Sequence, residues 1–305
     1  DAIGCGLYGL LTPWAQIVQG FAIEQGGPQE STLWAGGGRK ISAINAALAT
    51  GTALHSFEVD DHNGGGKIHP GAAVIPAAFA LGEREAISGA KLLAAITAGY
   101  ETMIRVSLAT NPVSSRMRGW HLTGTCGTFG ATAAASVILG LDAETTASAL
   151  GLAGTQSAGL YAFSADGAMT KRLHSGLAAE SGIRAALLAA RGFHGPRLVL
   201  EAEDGGFLAA TSDDMRIAEV TAGLGDEWRT DGVIFKRYAC CGSNHSSIDA
   251  AMPRTSSVGW LGCSRTESRP GRPMVFLKRV TTRHLRATDT RSWLLMCLES
   301  SDSLS

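Results

Sequence analysis

Up to about Ala251 the chain is built from glycine and alanine set in helical register, and few folds accommodate that pattern. Apolar residues recur at three- and four-residue steps, while the alternation of a half-buried strand is rare. Ile41, Ile44, Leu48 and His55 fall on one side of a helix spanning Ile41 to His55. Ser88 can cap a helix carrying Leu92, Leu93, Ile96, Tyr100 and Ile104. Phe129 to Leu139 reads as an apolar helix ended by Gly140. Asp142 can cap the next, and His174 to Arg191 forms a further one, with Gly192 suited to its last turn. Each glycine in a helix interior costs about 1 kcal/mol relative to alanine. Only close approach of neighbouring backbones offsets that cost over so many positions, so the fold class expected is mainly α, a bundle of tightly packed helices. Val233-Ile234-Phe235 is the best strand candidate.

With 305 residues, the chain is long enough for one large domain and part of another. Its 45% apolar and 17% charged residues fit a globular protein. A net charge of −1 lacks the basic field that a nucleic-acid partner requires. The longest apolar run, Gly71 to Gly82, is too short to span a bilayer and contains Pro76, so no membrane association is expected. Six irregularly spaced cysteines read as reduced thiols in a cytoplasmic protein. No signal peptide is visible; the chain opens at Asp1 in amphipathic sequence, and its start is expected upstream. From Met252 the texture changes. Alanine occurs only at Ala287, and nine Lys/Arg stand against four Asp/Glu in residues 252–305. This atypical segment reads either as a basic flexible tail or as out-of-frame or foreign sequence.

Four stretches carry chemistry. The first, "HSFEVDDHNGGGKIHPG", holds acids, histidines and a glycine triplet. A phosphate loop is disfavoured, because Ile68 follows Lys67 where Ser or Thr is needed and Asp61 stands where the earlier glycine belongs. Asp60, Asp61, His62 and His69 could converge on a metal, but no chelating spacing fixes them. A polar loop with His69 capping the helix from Pro70 is the plainer alternative. The second, "RGWHLTGTCGTFGA", places His121 before an apolar helix that Thr123 or Thr125 can cap, where backbone N–H groups favour an anion. In the third, "DGAMTKRLHSG", Lys171, Arg172 and His174 form either a carboxylate clamp or a solvated basic turn. The fourth, "FKRYACCGSNHSSIDAA", pairs Cys240 with Cys241. Adjacent cysteines lack chelating spacing and no base stands beside them, which leaves helix capping by Ser243 or Asn244 as the ordinary explanation.

In order and spacing, these stretches, with "ALGLAGTQSAGL", resemble the MmgE/PrpD family over about Asp1 to Ala251. The family includes 2-methylcitrate dehydratase, cis-aconitate decarboxylase and iminodisuccinate epimerase. The resemblance implies a large all-helical domain (residues 1–230, incomplete at its N-terminus) and the start of a smaller α/β lid domain (231–251), followed by the atypical segment 252–305. It further implies a homodimer without metal or other cofactor, acting on a small di- or tricarboxylate. The family's pocket positions fall on Glu58, His69, His121, Lys171 and Lys236. Glu58 stands where relatives carry Asp, His62 where they often carry Thr, and Cys241 where the decarboxylase-like branch carries His. A pocket tyrosine from deeper in the lid has no matching position.

Reactions beside a carboxylate need a proton-transferring group and fixed positive charge. The expectation is that His121 and His69 titrate near neutrality as acid and base. Asp60 or Asp61 orients a histidine or shares in proton transfer, and Lys171 anchors a carboxylate. Glu58, His62, Arg172, Lys236 and Cys241 line the substrate site. The activity expected is a lyase most like 2-methylcitrate dehydratase. The alternatives are a decarboxylase or epimerase of the same family, or an inactive truncated relative.

Overall fold

Eleven α-helices account for most of the 1–34 and 36–252 residues that the computed structural model describes. They are α1 (Ala2–Gly9), α2 (Pro13–Glu24), α3 (Ala43–Leu54), α4 (Pro70–Arg84), α5 (Gly89–Ala109), α6 (Pro112–Met117), α7 (Leu122–Leu139), α8 (Ala143–Gln156), α9 (Thr170–Ala189), α10 (Phe207–Thr211) and α11 (His245–Ala251). Two short antiparallel pairs and four single-turn 3-10 helices complete the elements of the described residues. Strand β1 (Ser31–Thr32) pairs with β2 (Lys40–Ile41), and β3 (His62–Asn63) pairs with β4 (Val233–Ile234). The expectations for the tail concern residues 253–305 almost entirely and lie outside the described residues.

Helix α7 is the axis of the bundle, packed between α5 and α9 and touching α4 and α8. It is buried on every side from Leu122 to Ile138, which suits a sequence with no polar face. Small residues make this possible. A Cβ placed on Gly130 would lie 2.7 Å from the Met103 Cβ of α5, and one on Gly51 would lie 2.8 Å from the Gly176 Cα of α9. Both are closer than real side chains approach, so the glycines set the spacing between α5 and α7 and between α3 and α9.

The expected caps hold at three places. Ser88 accepts from the Lys91 N–H, Asp142 accepts from the Thr145 N–H, and Gly140 ends α7 in the left-handed region at φ 65°. Other boundaries move. Helix α7 begins at Leu122, so Thr123 and Thr125 lie inside its first turn and cap nothing. Thr123 Oγ1 instead accepts from the backbone N–H of His69 at 3.2 Å, tying the start of α4 to the start of α7. Neither His69 nor Asn244 makes a side-chain capping bond at its helix. Pro76 does not break α4, which runs through it; burial of that helix against α3, α5 and α7 outweighs the usual cost of about 3 kcal/mol. Helices α5 and α7 also have the length and mean hydropathy (1.2 and 1.3) of membrane-crossing helices, contrary to the sequence expectation. The apolar window of α7 is 94% buried within the bundle, as in a core helix.

Candidate active site

The starts of α4, α7 and α9 meet near the end of α3, and the chemistry lies where they meet. His55 follows the last turn of α3, His69 and His121 precede the first turns of α4 and α7, and Lys171 and His174 lie in the first turns of α9. Three helix N-termini directed at one region favour negative charge there. The loop joining α3 to α4 supplies Glu58, Asp60 and Asp61.

Glu58 receives both lysines. Lys171 Nζ donates to both of its carboxylate oxygens at 2.6 Å, and Lys236 Nζ lies 3.7 Å from Oε2. Lys236 also donates to the Glu58 carbonyl at 3.0 Å and lies 3.4 Å from Asp60. Glu58 itself has φ 61°, a left-handed conformation uncommon for a residue with a Cβ and costing about 1 kcal/mol or more. Strand β4 brings Lys236 within reach: Ile234 pairs with His62 and Val233 with Asn63, so the segment after Asp231 is fastened onto the 58–63 loop.

Asp60 is fully buried between two imidazoles. His55 Nδ1 lies 2.7 Å from its Oδ2 and His69 Nδ1 3.3 Å. Burial opposes ionisation of Asp60, but His55, His69 and Lys236 outweigh it and hold the carboxyl well below the usual range. Asp61, next in sequence, behaves oppositely. Burial and the Asp60 charge raise it to about 6, even though it accepts from Tyr100 Oη at 2.7 Å and from the Gly71 N–H at 3.0 Å. Its backbone carbonyl accepts a bond from His69 Nδ1 at 3.0 Å.

The histidines form a row. Ring centroids are separated by 5.2 Å from His174 to His121, 6.0 Å from His121 to His55, 4.8 Å from His55 to His69, and 6.0 Å from His69 to His62. The expectation that His121 and His69 titrate near neutrality is overturned. Burial, reinforced by neighbouring positive groups, pushes His69 down to about 3 and His121 well below its ordinary value. Burial likewise lowers His174 to about 4 and shifts His62 downward. His69, His121 and His174 are thereby kept neutral at pH 7, each with one N–H and one lone pair, so they can transfer a proton without carrying charge.

Two expected residues stay apart. The Arg172 guanidinium lies over the Trp14 ring at 4.7 Å and donates weakly to the Ala168 carbonyl; it does not join Lys171 at Glu58. One step along a helix turns a side chain by about 100°, so the adjacent cations cannot both face the cluster. Cys241 is exposed before the turn Gly242–Asn244, and its thiol takes no part in the hydrogen bonds among the described residues of the cluster. His55 is the residue that the sequence does not reveal, reading as one more member of an apolar helix face; His174, read with Lys171 and Arg172 as a carboxylate clamp or a solvated basic turn, instead faces His121. The only signal for His55 was its place five residues before Asp60 in a loop rich in acids.

His55, Asp60 and His69 present donor atoms within 4.8 Å of one another, a spacing that could hold a cation. Lys236 Nζ already supplies positive charge 3.4 Å from Asp60. The metal grouping considered from sequence is changed, because His55 joins it while Asp61 and His62 do not.

The fold and site define a class: a mainly α protein with a buried cluster of imidazoles, paired carboxylates and lysines set among helix N-termini. Comparison with known proteins narrows it. Residues 1–219 match the MmgE/PrpD N-terminal domain, and the chain belongs to the MmgE/PrpD family. Among its relatives, the cis-aconitate decarboxylase-like protein oryM of Aspergillus oryzae is 34% identical over 263 residues, covering 82% of this chain and 54% of that protein. The cis-aconitate decarboxylase of Aspergillus terreus is 32% identical over 262 residues (82% and 53%), and the human cis-aconitate decarboxylase 31% over 259 residues (82% and 52%). The chain therefore spans about half the length of these relatives.

Proposed function

We propose that this chain carries the acid–base half of a lyase that acts on a small di- or tricarboxylate, with decarboxylation of a cis-aconitate-like substrate as its reaction. The carrying observation is the double-lysine site at Glu58, where Lys171 and Lys236 hold a carboxylate beside a row of imidazoles. A substrate carboxylate that displaces Glu58 would meet the same two cations. Decarboxylation breaks a C–C bond, leaves its electron pair on carbon, and ends when that carbon takes a proton. Fixed lysine charge stabilises the developing anion, and His121 supplies the proton.

The names of the relatives favour decarboxylation over the 2-methylcitrate dehydration expected from sequence. Dehydration would use the same parts, with His69 removing a proton and His121 protonating the leaving hydroxyl. The test is to incubate the chain separately with cis-aconitate, 2-methylcitrate and iminodisuccinate, measuring CO2 release, absorbance of the unsaturated product and loss of optical rotation. CO2 release from cis-aconitate that falls at least about 100-fold in Lys171→Met is the expected result. Turnover of 2-methylcitrate alone would replace decarboxylation with dehydration, and turnover of none would make the chain an inactive family fragment.

A further inference from the structure

His121 Nδ1 and His174 Nδ1 lie 3.0 Å apart, a hydrogen-bonding distance between two atoms of the same kind. Such a contact holds a single proton, because two N–H groups would collide and two lone pairs would repel. His121 is 5% exposed, its backbone N–H donates to the Gly159 carbonyl at 2.9 Å, and Phe163 and Tyr161 stand edge-on to its ring. Its Nδ1 is committed to His174, so only Nε2 remains for a substrate. Whether Nε2 carries the hydrogen is decided by which ring donates across the contact.

His69 restricts the choice. Its Nδ1 faces the Asp61 carbonyl at 3.0 Å and the Asp60 carboxylate at 3.3 Å, and both of these only accept. Nδ1 of His69 therefore bears the hydrogen, and neutral His69 presents a bare Nε2, a base. A site with one base is complemented by an acid, and the acid tautomer of His121 has a bare Nδ1 and an Nε2–H.

We propose that His174 is a positioning residue that donates its Nδ1–H to His121 Nδ1, fixing His121 as the Nε2–H tautomer and thereby making it the proton donor of the pocket. The inference rests on the proposed role of His121 for its consequence in turnover, but not for the tautomer itself. In the step it serves, the C–CO2 bond breaks with its electrons left on carbon, the His121 Nε2–H bond breaks, and a C–H bond forms. His174 Nδ1–H moves to His121 Nδ1, and the partly exposed His174 ring takes a replacement proton from water at Nε2. After product leaves, water protonates His121 Nε2, the His121 Nδ1 proton returns to His174 Nδ1, and His174 Nε2 releases its proton to water, so two solvent protons are taken up, one is given back and one is consumed per turnover.

The test is 15N NMR of the histidine-labelled chain, with long-range 1H–15N correlations assigning the protonated nitrogen of His121, alongside turnover of cis-aconitate. The expected wild-type spectrum shows His121 protonated at Nε2 and His174 at Nδ1. His174→Gln, whose amide can donate a hydrogen bond but cannot pass its proton on, retains the His121 tautomer while turnover falls because the relay from Nδ1 is lost. His174→Glu, an acceptor, moves the His121 proton to Nδ1 and lowers turnover about 100-fold, with circular dichroism unchanged. A wild-type His121 protonated at Nδ1 overturns the proposal without need of any variant. The expected spectra with no turnover of cis-aconitate would leave the positioning role standing and refute the decarboxylase reading.

Discussion

Lowering the pH from 7 to 5 should destabilise this protein strongly, and its buried histidines set the amount. An imidazole whose ordinary value is 6.5 but which lies near 3 in the folded state binds a proton at pH 5 only after unfolding. The unfolded chain then holds more protons, so stability falls as pH drops through 6.5. For His69 the loss between pH 7 and pH 5 is about 2 kcal/mol, and His121, held well below its ordinary value by burial, shifts stability in the same direction. His174, at about 4 and partly exposed, is discounted to about 1 kcal/mol. Asp61 acts in the opposite sense. Raised from 3.8 to about 6, it binds its proton more readily in the folded state and returns about 1 kcal/mol over the same interval. Asp60 contributes nothing in this window, because its depressed carboxyl costs stability only below its ordinary value of 3.8. The groups together lose about 2 kcal/mol, to which His121 adds, equivalent to a urea midpoint lower by about 1 M or more. Urea titrations followed by circular dichroism at pH 7, 6 and 5 measure it, and His69→Asn should recover about 2 kcal/mol at pH 5. A midpoint that is flat or rises toward pH 5 would show that the histidines are charged in the folded protein, and the neutral acid–base chemistry would fall with it.

Glu58→Gln removes the anion that Lys171 and Lys236 share, leaving partly buried Lys171 without its carboxylate and Lys236 with Asp60 alone, at a cost of about 3 kcal/mol. Added cis-aconitate should then raise the melting temperature of the variant more than that of the wild type, and equal shifts would show that substrate does not use the Glu58 position. Gly51→Val should lower stability by about 2–3 kcal/mol in urea titration, because even its Cβ would meet the Gly176 Cα of α9 at 2.8 Å. An unchanged midpoint would mean that α3 and α9 can separate freely.

The sequence by itself determined the bundle. Glycine and alanine at helical spacing admit little else, and the caps at Ser88, Asp142 and Gly140 act locally, so each is visible in a few neighbouring residues. It also identified most of the acids, lysines and histidines that meet, because motif order reports which residues share a pocket. Tertiary structure decided what those residues are. Lys171 and Arg172 are neighbours in the chain, yet one grips Glu58 and the other covers Trp14, since a helix sends consecutive side chains in different directions. Asp60 and Asp61 are adjacent carboxylates driven to opposite sides of their ordinary value, one by imidazoles and a lysine, the other by burial beside the first. His55 and His174 gain significance only when α3, α7 and α9 bring rings from distant parts of the chain within reach. Protonation depends on burial and on charges nearby in space, and no spacing along a chain records either.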